Sequence, residues 1–199
     1  MGCAQSREEA PTRQAISEKS EKSVPTRTAP SDDQDVGVLP AHGGPPVTGT
    51  ESIMSRKAHG TTATPVQESL RWNCDRKKAD EICCYNRHYA EFSGYFKSTP
   101  FQSYMLERGN QPTVFYDSVT GLPLFVAPVG RSVEAFLAES RAHGWPSFRD
   151  QEVCWENMRT LKNGESVSTA GTHLGHNLPD RHGNRYCINL VSVAGHAAQ

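Results

Sequence analysis

The chain has no aromatic residue in its first 64 positions. That stretch is rich instead in Ser, Thr, Pro, Gly and mixed charge, and such a composition buries too little apolar surface to offset its ordering entropy. A disordered tail over 1–64 is therefore expected, in keeping with a hydrophobic content of only 36% over 199 residues. Charge of one sign is also lacking. A formal net charge of −1 gives no basis for nucleic acid or an acidic ligand as partner. No run approaches the ~18 apolar residues of a membrane span, and no h-region marks a secretory signal. The six cysteines, Cys3, Cys74, Cys83, Cys84, Cys154 and Cys187, contain no CxxC pair and no regular framework. Free thiols in a cytoplasmic setting fit that pattern better than a stapled secreted domain.

The start of the tail carries one motif. Met1-Gly2-Cys3-Ala4-Gln5-Ser6 matches M-G-x-x-x-[ST], the pattern for myristoylation of Gly2 after loss of Met1. One myristoyl chain anchors only marginally, so a second signal is needed. Arg7 is followed by Glu8 and Glu9, which rules out a polybasic patch and leaves S-palmitoylation of Cys3 to supply it. The expectation is a protein held on the cytoplasmic face of a membrane by acyl chains.

The folded part is expected over 65–199. Val66, Leu70, Trp72 and Ile82 spread among charges read as helical over 66–90. Thr113 to Tyr116 is a β-rich run, Asp117 to Gly121 supplies turn residues, and Leu122-Pro123-Leu124-Phe125 follows. Residues 131–142 read as a helix with Val133, Phe136 and Leu137 on one face. From Gly144 onward, turn residues punctuate short apolar runs. The fold class this implies is mainly β: an antiparallel domain with helices near its start.

Three runs carry the chemistry. Alternation along Arg185-Tyr186-Cys187-Ile188-Asn189 puts Tyr186 and Ile188 in the core and Arg185, Cys187 and Asn189 on the opposite face. A β-strand cysteine taken alone is usually inert filler. A cation on its own face favours the thiolate, which is the nucleophile. His173-Leu174-Gly175-His176 offers two imidazoles for hydrogen bonding or proton transfer. A regular strand would set them on opposite faces, so Gly175 would have to support a bulge or a turn for both to reach one pocket. Gly144-Trp145-Pro146-Ser147-Phe148 is a rigid turn whose indole suits a methyl or a polarised sulfur. Asp180 can orient a histidine or close a rim.

Taken together these runs resemble the methionine-R-sulfoxide reductases, the MsrB family, over roughly residues 92–195. Phe92-Ser93-Gly94-Tyr95 is similar to the family's early F-T-G-x segment and Leu122 to Phe125 to its x-P-L-F segment; GWPSF, HLGH and RYCIN follow in the family's order. The resemblance implies a fold of two antiparallel sheets with peripheral helices. It implies Cys187 as the catalytic cysteine, with His173, His176, Arg185 and Asn189 around the sulfoxide oxygen and a bound water. Trp145 would be the wall against the substrate ε-methyl and Asp180 a supporting acid. The implied activity is repair of oxidised proteins carrying methionine-R-sulfoxide, through a sulfenic acid on Cys187.

The departures from the family pattern matter as much. Many members hold zinc through two CxxC pairs, whose positions fall here at Asp117, Thr120, Val167 and Ala170. No thiolate remains, so neither zinc nor another cofactor is expected. The usual resolving cysteine before GWPSF is replaced by His143, and Arg181-His182 stands where Gly-Pro is usual. Cys154, then Cys84 and Cys83, are the candidate resolving thiols, with an external thiol or a thioredoxin-like dithiol as reductant. Two other readings stand beside this one. One is a membrane-tethered, catalytically impaired interaction protein on the same fold. The other is a metal module using His173, His176, His182 and Cys187.

Overall fold

The computed structural model describes residues 38–198. Gly2 and Cys3, and with them the acylation motif, lie outside the described residues. Among the described residues three α-helices and two antiparallel sheets form the architecture: α1 (Arg76–Asp80), α2 (Phe101–Arg108), α3 (Val133–His143), β1 (Thr113–Tyr116), β2 (Pro123–Ala127), β3 (Ser147–Phe148), β4 (Met158–Thr160), β5 (Glu165–Ser168), β6 (His173–Asn177) and β7 (Tyr186–Ile188). β1 and β2 make a two-stranded sheet, and the larger sheet runs β3-β7-β6-β5-β4. No helix among the described residues is long and apolar enough to cross a membrane.

Several elements form where the local pattern places them. The β1–β2 hairpin closes through the 117–121 turn, with Asp117 N donating to Leu122 O. α3 starts where the Ser132 hydroxyl accepts from Ala135 N and stops at Gly144, whose φ of 89° only glycine adopts freely. Its buried face is Val133, Phe136 and Leu137.

Two expectations are corrected. The helix expected over 66–90 is broken, because Trp72 and Asn73 take left-handed φ values of 54° and 53°. That turn sets Trp72 edge-on against Phe101, 5.1 Å between centroids. Right-handed helix begins only at α1, capped by Asp75, and passes into a π-helical turn over Glu81–Tyr85. α2 is unanticipated; its buried residues are Phe101 and Met105.

The second correction concerns the tail. From Gly43, whose N–H donates to Val153 O, the chain up to residue 64 is tied to the domain. Gly49 N donates to Thr160 O and Thr160 N to Val47 O, so residues 47–49 extend the large sheet beyond its β4 edge. Met54 is buried with Leu161 and Val167, and Thr61 N donates to Cys84 O. Composition misses this because the order comes from backbone pairing with an open sheet edge, which needs no aromatic side chain.

The main core lies between the hairpin, α3 and the large sheet. Phe148 stacks on Phe125 at 4.2 Å and meets Phe115 edge-on at 4.9 Å. Tyr186 and Ile188 are fully buried beside them. Each such side chain contributes on the order of 2 kcal/mol by burial. The result is a firm floor under β7 that leaves Cys187 on its opposite face.

Candidate functional site

Cys187 is paired across β7 on both sides. Its Cα partner on β3 is Ser147 and on β6 is His176. Ser147 Oγ lies 3.8 Å from its Sγ, and Arg185 Nη1 donates a hydrogen bond to that sulfur. Of the five described cysteines, Cys187 alone is not buried. It opens into a pocket of about 300 Å³ that Trp145, His173, His176 and Asn189 also line.

The convergence of the two histidines rests on a bulge. Against β5, Ser166 pairs with Gly175 but Val167 pairs with His173, so Leu174 is an extra residue in β6. Both rings then sit on one side, 5.8 Å apart and edge to face. Gly175 permits this in two ways. Its φ of 153° is rare for L side chains, and a Cβ there would lie 2.1 Å from Cys187 O. The strand carrying the cysteine can approach only because position 175 has no side chain.

Behind the pocket stands a charged pair that the local sequence does not mark. His173 Nδ1 donates to Glu165 Oε1 at 2.8 Å, and Arg87 Nε donates to both oxygens of that carboxylate at 3.1 Å. Burial alone would raise Glu165, but the hydrogen bonds from His173 and Arg87 outweigh it and hold the group at about 2. An ionised Glu165 accepts only, so the Nδ1 proton of His173 is fixed and Nε2 is the nitrogen left for the pocket. Burial first, and then His173, lowers His176 from the usual imidazole range.

The linkage sign follows from the depressed folded value of Glu165. Its stabilisation is full above the unfolded carboxyl range and is lost as pH falls toward 2. Glu165→Gln is expected to cost about 2 kcal/mol at pH 7. The deficit should shrink steadily in urea titrations from about pH 5 to about pH 3. A pH-independent deficit would exclude the charge as its source.

Asn189 and Trp145 share one support. Asn189 Oδ1 accepts from Glu91 N at 3.1 Å while its amide donates to Leu174 O; Trp145 Nε1 donates to Glu91 O at 3.2 Å. Glu91 is itself buried, its carboxylate accepting from Leu190 N and Val191 N. Asp180 does not line the pocket. Held well below the usual carboxylate range, first by Arg149, it makes a two-pronged pair with that guanidinium and lies 3.3 Å from Arg185 Nε. Its charge thus sits beside Arg185, whose Nη1 donates to the sulfur while Nε makes no hydrogen bond. His88, Tyr89, Ala90 and Leu178 also line the pocket, and nothing local in the sequence marks them.

Among the described residues, no other cysteine lines the pocket with Cys187. Cys154 is buried with Val114, Tyr116 and Val126, Cys83 beneath Val191 and Ser192, and Cys84 beside Asp80. Burial pushes Cys154 and Cys84 up to about 12 and Cys83 well above its usual range. None lines the pocket, so the expected resolving role of Cys154, Cys84 or Cys83 is not supported.

Four donor sets bear on metal. Asp117 is buried and accepts from Thr120 Oγ1, Thr172 Oγ1 and Val119 N. Together with Val167 and Ala170 this gives one carboxylate and no thiolate, which does not fit a tetrahedral sulfur site. His182 stands on the exposed Asp180–Gly183 turn, paired with Arg181 Nε and apart from the pocket, which removes it from the metal grouping with Cys187. Elsewhere, His59, Asp80 and Cys84, and separately Glu139, His143 and Asp180, each bring ligand atoms within 4.8 Å of one another. Comparison with protein-family models, with curated proteins and with solved structures gives no match.

Proposed function

We propose that this chain is a methionine-R-sulfoxide reductase of the MsrB type, acting on protein-bound methionine-R-sulfoxide. One observation carries the reading. Cys187, His173, His176, Asn189 and Trp145, singled out by three separate sequence runs, line a single pocket.

In the proposed reaction the Cys187 thiolate, held by Arg185, attacks the sulfoxide sulfur. In its doubly protonated form His173, with Nδ1–H on Glu165, delivers its Nε2 proton to the sulfoxide oxygen, and His176 and Asn189 hydrogen-bond around that oxygen. The sulfur–oxygen bond of the substrate breaks and the hydroxyl ends on Sγ. Methionine leaves reduced by two electrons and Cys187 is left as a sulfenic acid, oxidised by two. The indole of Trp145 packs the substrate methyl. With Cys83, Cys84 and Cys154 buried, the sulfenic acid is reduced by an external thiol. One sulfhydryl forms a mixed disulfide and releases water, and a second, as in a thioredoxin-like dithiol, frees Cys187. Acylation at Gly2 and Cys3 would hold this chemistry at a membrane surface.

The test is turnover of separate R and S epimers of a peptide methionine sulfoxide with dithiothreitol and then thioredoxin. The proposal expects reduction of R and none of S; equal rates, or no reduction of R, would end it.

A further inference from the structure

Glu91 lies outside the three runs that define the pocket, yet four hydrogen bonds tie it to the segments that form it. Its N–H donates to the Asn189 side chain and its carbonyl accepts from the Trp145 indole. Its two carboxylate oxygens accept from Leu190 N and Val191 N, the residues directly after Asn189. The side chain therefore clamps residue 91 to the end of β7, and its main chain holds the proposed methyl wall at one end and the proposed oxygen-side amide at the other. The position costs stability, because a carboxyl 2% exposed is paired here only with backbone donors. Such costs are concentrated at functional sites.

We propose that Glu91 is a positioning residue for the pocket, setting the spacing of Trp145 and Asn189 through a clamp that is complete only when its carboxyl is ionised. This deepens the reductase reading and rests on it for the identity of the reaction. An ionised carboxyl accepts at both oxygens; a protonated one accepts well at its carbonyl oxygen alone. Burial raises Glu91 to about 7, opposed by the two backbone N–H groups and by Lys78 of α1. The other ionisable groups that interact with it are Cys74 and Tyr95, both raised chiefly by burial. The clamp thus loosens as pH falls through neutrality.

Glu91→Gln, which keeps one acceptor and cannot ionise, is the test. At pH 8 its kcat/KM for an R-sulfoxide peptide should fall on the order of 10- to 100-fold. The inflection near neutral pH contributed by Glu91 should disappear from its profile. Glu91→Asp should recover part of the loss. A second readout needs no turnover. The Trp145 contribution to intrinsic fluorescence, taken as the difference from Trp145→Phe, should titrate near neutral pH in the parent and not in Glu91→Gln. An unchanged pH profile together with an unchanged fluorescence titration would overturn the proposal. If the parent protein reduces no R-sulfoxide, the reductase reading falls and the fluorescence arm still decides whether Glu91 sets the pocket.

Discussion

Cys187→Ser is expected to lower R-sulfoxide turnover by at least about 10⁴-fold, since it removes the atom proposed to attack the sulfoxide sulfur. The change is nearly isosteric. Serine keeps a partner for Arg185 and Ser147, and the buried face of β7 is carried by Tyr186 and Ile188. Stability should therefore shift by about 0.5 kcal/mol or less, so lost activity cannot be blamed on unfolding. A sulfenic-acid trap should label the parent after substrate addition and leave the variant unlabelled. Turnover by Cys187→Ser near the parental rate would eliminate the mechanism. Variants of Cys83, Cys84 and Cys154 should keep single-turnover activity, because those thiols are buried away from the pocket.

Gly175→Ala is expected to damage both stability and turnover. The added Cβ would stand 2.1 Å from Cys187 O and 3.0 Å from both Cys187 C and Ile188 Cα, and this is rigid backbone. Either β7 moves away from β6 or the bulge flattens. Strain and overpacking together should cost about 3 kcal/mol, read as a lower urea midpoint. Turnover should fall on the order of 100-fold under conditions where the variant is folded, because the bulge is what brings both imidazoles into the pocket that Cys187 lines. Gly183→Ala is the control. Gly183 also has a positive φ, 107°, but no atom lies within 4 Å of the point its Cβ would occupy. It should cost about 1 kcal/mol and leave turnover unchanged. Equal effects from the two variants would mean that the close approach to Cys187 is not what matters at position 175.

How much of the site was legible depended on the range of the interaction involved. The facing of Cys187 follows from alternation in five residues, and the limits of α3 follow from Ser132 and Gly144 as caps. The bulge could be required from the spacing of His173 and His176, yet its placement at Leu174 depends on pairing with β5. The roles of Glu165 and Glu91 were invisible. A single glutamate has no local signature, and each gains its role by meeting a residue 8 or about 100 positions away. Arg149 joins Asp180 to the same framework across 31 positions.

The sequence alone determined the candidate nucleophile, the two imidazoles, the indole and the β character of the domain, because residue type and short-period patterning decide chemistry and facing. Only the tertiary structure decided which thiols are buried, where the chain meets the sheet edge at residues 47–49, and which carboxylates stand behind the pocket. Those outcomes are fixed by burial and by backbone pairing between distant segments, and neither leaves a trace in local composition.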